Sequence, residues 1–203
     1  MDIYLKIVIT EITARTVIIC LILAVMIAVA AGRLCKRGRL TVIEAVVLPL
    51  FVSYLYFVLA ITIFDRIPGK SFKYELELFW SYKAALAGTS WLLMENFLNI
   101  VLFVPAGICL SILMKKRLLV VTLMAALFSV AIEISQLVMK CGLFEFDDIF
   151  HNTLGSVAGS MIANVIERGI AYAADNVRCK CAHRPSISSI EDKSRGHQRD
   201  TAP

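Results

Sequence analysis

The stretch Phe144-Glu145-Phe146-Asp147-Asp148-Ile149-Phe150-His151-Asn152-Thr153-Leu154-Gly155 lies between two runs of almost pure hydrocarbon. Three acids, a histidine and an asparagine fall within eight consecutive positions of a chain that is 59% hydrophobic. Polar groups at membrane depth are costly and call for a partner or a purpose. On one side of the run, Leu118–Met139 is long and apolar enough to cross a bilayer; on the other, the chain stays apolar through Ile149–Ile166.

Further upstream, Thr16–Gly32, Ala45–Phe64 and Phe97–Met114 have the same character. Five spans in 203 residues, with a mean hydropathy of +0.76, describe an all-α polytopic membrane protein rather than a water-soluble domain. The fifth span is the most polar of the set. Residues 1–170 form the transmembrane domain, and 171–203 form a polar tail that becomes Ser-, Arg- and Asp-rich from Arg184 and reads as disordered.

The net charge of +5 does not point to nucleic acid, because the basic residues flank apolar spans and serve as topology signals. One set of connections holds 14 Lys and Arg residues, among them Arg33, Lys36, Arg37, Arg39, Lys115, Lys116 and Arg117; the other set holds 7. The richer set is cytoplasmic, which places the N-terminus outside and the C-terminus inside. Ala28-Val29-Ala30 looks like a signal-peptide cleavage site, but the basic cluster that follows resists translocation, so the first segment reads as a retained span. Cys35, Cys179 and Cys181 are then cytoplasmic, Cys20 and Cys109 lie in spans, and Cys141 falls in an outer loop, so no disulfide framework is implied. Cys179-Lys-Cys181-Ala-His183 matches no strong zinc spacing.

The outer connection Asp65–Glu95 carries Tyr74, Trp80, Tyr82 and Trp91, an aromatic content suited to a membrane interface. Its alternation over Tyr74–Trp80 fits a short strand, while Leu76, Phe79 and Trp80 also fit one helix face.

With this topology the unusual polar groups gather on the outer side. Glu95, Asn96 and Asn99 open the third span; Ser129, Glu133 and Gln136 lie in the outer half of the fourth; Asp147, Asp148, His151 and Asn152 begin the fifth. The pairs Glu95/Asn99, Ser129/Glu133, Asp147/His151 and Asp148/Asn152 are each four apart and share a helix face. Faces turned inward would make an outward-facing polar pocket. Structural roles compete with this reading. Asp147 and Asn96 suit helix N-caps, Asn99 and Asn152 suit interhelical hydrogen bonds, and His151 can simply satisfy a neighbouring acid. Glu133 is the hardest to explain so, since it lies inside an apolar run with no cation within a turn; it is either protonated or paired across helices with His151. Pro105 can kink the third span, with Gly107 giving room. Gly155, Ser156, Gly159 and Ser160 form a doubled small-xxx-small pattern for close helix packing. Glu44 can snorkel or meet Arg39.

The segment Glu95-Asn96-Phe97-Leu98-Asn99-Ile100-Val101-Leu102-Phe103-Val104-Pro105-Ala106-Gly107, then Glu133 and Gln136, then Phe144–Gly155 and Gly159, resembles the VanZ-like family of bacterial membrane proteins. Trp80-Ser81-Tyr82 also looks family-like. Many members carry a basic residue shortly before the Asp-Asp pair; here that place holds Leu143, with Lys140 the nearest cation. The resemblance implies a multi-pass protein of the cell membrane, connected with the cell envelope and with low-level resistance to the glycopeptide teicoplanin.

Two functions follow as expectations. In the first, the protein is not an enzyme and needs no cofactor or metal; its pocket binds a cell-wall precursor or glycopeptide from within the lipid bilayer. The supply of Asn, Gln and Glu without an evident nucleophile or metal set favours it. In the second, an intramembrane enzyme acts on a lipid-linked or cell-wall substrate, with Glu133 and His151 as acid and base; a metal on Glu133, Asp147 and His151 is a variant.

Overall fold

In the computed structural model, residues 14–115 and 117–182 are described, with side chains to residue 172. Five long helices carry the fold: α1 (Ala14–Lys36), α2 (Val42–Leu59), α4 (Trp91–Leu113), α5 (Leu118–Met139) and α6 (Phe146–Ala182). A short helix α3 (Trp80–Leu86) and two-residue strands β1 (Tyr74–Glu75) and β2 (Phe144–Glu145) complete it. Contacts divide the chain into Met1–Asn164 and Val165–Pro203, and everything below concerns the first unit. The helix α6 runs past Ile170, the expected end of the membrane domain, to Ala182; the side chains of the Cys179–Cys181–His183 group and the tail from 183 lie outside the described residues.

Among the described residues, four helices are long and apolar enough to cross a membrane: Ala14–Lys36, Val42–Phe64, Trp91–Leu113 and Leu118–Met139. The expected fifth span lies within α6, which is not among them. The burial pattern is that of a membrane protein. Leu21, Val25, Met26, Leu119 and Leu127 are exposed, while Ser129, Glu133, Asp147, His151 and Asn152 are buried. In water that distribution would be untenable; in lipid, the apolar surface faces hydrocarbon and the polar groups turn inward to each other.

The helix ends follow local chemistry. At the start of α2, Thr41 and Glu44 form a capping box: the Glu44 N–H donates to Thr41 Oγ1 at 3.2 Å and the Thr41 N–H donates to Glu44 Oε2 at 2.8 Å. Glu44 is therefore engaged with its own helix start rather than with Arg39. After Leu59 the helix widens into a π turn, Ala60–Phe64. At its exit Asp65 accepts from Arg15 at 2.8 Å and from Thr16 Oγ1 at 2.7 Å, tying the start of α1 to the end of α2.

The third span begins earlier than hydropathy suggests, at Trp91 rather than Phe97. Glu95, Asn96 and Asn99 lower the local hydropathy, but each faces polar partners or the cavity described below, so the helix has no reason to stop. Asn96 lies in the second turn of α4 and is not an N-cap. Helix α4 continues through Pro105. The Tyr54 hydroxyl of α2 donates to the Leu102 carbonyl one turn earlier, at 2.5 Å, close to the backbone acceptor that Pro105 cannot serve.

The connection from 65 to 95 keeps only the start of its strand reading, Tyr74–Glu75, and of Leu76, Phe79 and Trp80 only Trp80 is helical. Tyr74 and Glu75 pair in parallel with Phe144 and Glu145, and helix α3 follows. Gly69 N–H donates to the Lys140 carbonyl at 2.7 Å and Phe144 N–H to the Lys73 carbonyl at 3.1 Å, so the connection is stitched to the α5–α6 turn. Lys140 also lies 4.5 Å over the Phe72 ring.

Helices α4 and α6 meet backbone to backbone. A Cβ at Gly155 would strike the Ile100 carbonyl, one at Gly159 the Val104 carbonyl, and one at Gly107 the backbone of Ser156. The small-residue pattern thus serves close packing, and Gly107 serves it too rather than easing a kink. Gly155→Ala and Gly159→Ala should each lower stability by about 1–3 kcal/mol through overpacking. Gly32→Ala, with nothing within 4 Å of the added carbon, should not. Denaturant or thermal unfolding in detergent would measure the contrast.

Candidate functional site

Two adjacent acids divide the site between them. Successive helical residues point about 100° apart, so Asp147 and Asp148 at the start of α6 face different neighbours. Asp147, fully buried, turns to the outer connection. Its carboxylate accepts from the Phe79 N–H, from the Ser81 hydroxyl, and from the Ser81 N–H at 3.1 Å. These donors lie at the start of α3, whose preceding residue Phe79 is left-handed at φ 65° and supplies no side-chain cap. Asp147 therefore caps a helix other than its own, and the carboxylate sits where helix-start N–H groups favour negative charge. The Asn96 amide donates to Ser81 Oγ at 2.9 Å, bringing α4 into the same chain of hydrogen bonds.

His151 belongs to this cluster. Its Nδ1 is 2.6 Å from the Asp147 carbonyl, and its Nε2 is 2.8 Å from the Tyr82 hydroxyl. A carbonyl only accepts, so Nδ1 carries the hydrogen, and in the neutral ring Nε2 accepts from Tyr82. Both nitrogens are committed. The expected partnership of His151 with Glu133 is not formed, and with it the acid–base pair of the enzymatic reading is not assembled. Glu133, Asp147 and His151 likewise do not converge as metal ligands: among the described residues no group of three or more His, Cys, Asp or Glu is placed to hold a metal.

Asp148 faces the other way, into a cavity of about 280 Å³. Its lining draws on the π turn (Thr62) and Arg66 just beyond it, on α3 (Trp80), on α4 (Trp91, Glu95, Asn99), on α5 (Glu133, Gln136), on the strand residue Glu145, and on α6 (Asp148, Asn152). Asn99 donates to Asp148 at 2.7 Å, Gln136 to the Thr62 carbonyl at 3.2 Å, and Asn152 to Ser129 Oγ at 2.9 Å. Glu133, 1% exposed, accepts the Glu145 N–H at 3.0 Å. Glu145 in turn accepts from the Trp80 indole at 2.9 Å. Burial, with the Asp148 charge nearby, pushes the Glu145 carboxyl up to about 8.

Of the residues singled out from sequence, Glu95, Asn99, Glu133, Gln136, Asp148 and Asn152 line the cavity. Asn96, Asp147 and His151 instead build the wall that holds the outer connection in place. Several lining residues were not singled out as site members from sequence. Glu145 was visible in the polar run, three residues before Asp148. Trp80 stood out as an interfacial aromatic and within the family-like Trp80-Ser81-Tyr82. Arg66 looked like an ordinary flanking cation, yet it brings a guanidinium to the cavity from a segment far from the Asp-Asp pair.

A bundle of lipid-facing helices whose buried polar side chains converge at one end defines a multi-pass helical membrane protein with a polar cavity. The chain belongs to the VanZ/LLP1 family, whose model matches residues 45–167, from α2 into α6. Neither a curated protein nor a solved structure matches it.

Two outcomes test the geometry. Asp147→Asn puts an amide N–H₂ against a backbone N–H and should cost about 1–3 kcal/mol, with faster proteolysis across residues 65–90; unchanged unfolding and cleavage would contradict the trans-cap. For Glu145, the folded chain keeps a proton that the unfolded chain releases above its ordinary value near 4.5, so this group's stabilising contribution falls as pH rises from there through about 8. Because Trp80 donates to Glu145, tryptophan fluorescence should titrate with a midpoint near 8 and lose that transition in Glu145→Gln.

Proposed function

We propose that this protein works in the bacterial cell envelope as a non-enzymatic binding protein of the cytoplasmic membrane, and that its cavity takes a small polar group of an envelope component. The chain crosses five times with the N-terminus outside, so the cavity opens outward. The observation that carries the reading is the cavity itself: a polar chamber in an otherwise apolar bundle, with Glu95, Glu133, Glu145 and Asp148 supplied by separate elements. Burying Glu133 and partly burying Glu95, Glu145 and Asp148 costs free energy that helix packing alone does not require, which supports a functional site.

Its size limits the occupant. At about 280 Å³ it lies just below the usual range of small-molecule pockets and is far too small to enclose a glycopeptide antibiotic. A contribution to teicoplanin resistance is therefore better carried by binding part of a cell-wall precursor or an envelope lipid than by swallowing the drug. The enzymatic alternative lacks its base, because His151 is spent on Asp147 and Tyr82.

Deletion should raise teicoplanin susceptibility, expression should restore resistance, and Glu133→Ala should fail to restore it while accumulating in the membrane. Muropeptide and envelope-lipid profiles should stay the same throughout. Susceptibility that responds to neither deletion nor overexpression would refute the binding role; a changed precursor or lipid would favour the enzyme.

A further inference from the structure

The cavity is rich in acceptors. Trp80 donates to Glu145, Asn99 to Asp148 and Gln136 to Thr62. Four carboxyls line it, and a further acceptor, Asn152 Oδ1, has no hydrogen-bond partner among the described residues. Asn152 is 4% exposed, its Nδ2 is held by Ser129, and the side chain lines the cavity. A buried carbonyl left without a donor is costly, so its persistence needs an explanation. Arg66 is the only basic side chain in the lining, and it is exposed, with Trp91, at the mouth.

An occupant that completes this site brings positive charge and several N–H donors to the interior and an anion to the mouth. A bare metal ion does not fit, because no three of the acids converge among the described residues. A protonated primary amine does fit: it is compact, has three donors, and reaches carboxyls spread around a chamber. We propose that the cavity binds a primary ammonium group bearing a neighbouring anionic group. The ammonium sits among Glu133, Asp148 and Asn152 Oδ1, and the anion lies against Arg66. This rests on the reading of the cavity as a ligand site and names the chemistry of its ligand. An aminoalkyl phosphate, free or as a lipid headgroup, has this character.

The chain carries its own reporter, since both of its tryptophans, Trp80 and Trp91, line the cavity. Full-length protein in nanodiscs of anionic, amine-free lipid is titrated with phosphoethanolamine, N-acetylphosphoethanolamine and glycerol phosphate, following tryptophan fluorescence. Phosphoethanolamine should give a saturable change. The acetylated probe, which lacks the ammonium, should bind at least about tenfold more weakly, as expected for loss of a charge-assisted hydrogen-bond donor. Glycerol phosphate should not bind. Arg66→Gln, at an exposed position, should reduce phosphoethanolamine affinity to that of ethanolamine. In discs containing phosphatidylethanolamine, a lipid headgroup ligand would abolish the response to the soluble probe, whereas a soluble ligand would leave it intact. Equal binding of the acetylated probe, or tighter binding of glycerol phosphate, would overturn the ammonium assignment while leaving a ligand site. If no probe binds, the assignment falls; the wider reading falls as well only if Glu133→Ala also restores teicoplanin resistance like the native chain.

Discussion

The buried carboxylate of Asp147 is the contact on which the polar end of the molecule depends. It gathers two backbone N–H groups and a hydroxyl from Phe79 and Ser81, and so anchors a connection that would otherwise lie loosely on the membrane surface. The cost of burying the charge is met by fully satisfied hydrogen bonding at a helix start. Around it, the Asp147 carbonyl orients His151, His151 holds Tyr82, and Ser81 receives Asn96. Helices α3, α4 and α6 are thereby fixed relative to one another by a single polar cluster outside the cavity lining.

That rigidity is what permits the cavity. With Asp147 turned to the wall, Asp148 is left free to face inward. The close approach of α4 and α6 at Gly155 and Gly159 then brings Asn99 within reach of Asp148. Larger residues at those glycines would hold the helices apart and separate the acids on α6 from those on α4. Close packing in lipid therefore serves the site as well as the fold.

Much of the architecture was legible in the order of residues. Apolar runs such as Leu118–Met139 located the helices because the bilayer sets their length and lipid forbids unsatisfied backbone. The same logic misplaced the start of the third helix. Hydropathy registers Glu95, Asn96 and Asn99 as an end to the span, whereas their partners on other elements let the helix continue. Six cavity residues were found from polar character and helical spacing, and the VanZ-like motif resemblance agreed with the family match over residues 45–167. Arg66, Trp80 and Glu145 were not found, because their approach to the cavity depends on a π turn and a parallel strand pair between segments far apart in the chain.

By itself, then, the sequence determined an all-α membrane protein, the polar segments of its outer end and the family to which it belongs. These depend on local composition and on period, which any stretch of chain carries with it. Tertiary structure alone decided which of two neighbouring aspartates holds the scaffold and which lines the cavity. It also decided that His151 answers Tyr82 rather than Glu133, and that an arginine from the second helix's exit faces the acids. A hydrogen bond is directional and short, so its partners are chosen by how helices pack, and spacing along one helix cannot choose between neighbours on others.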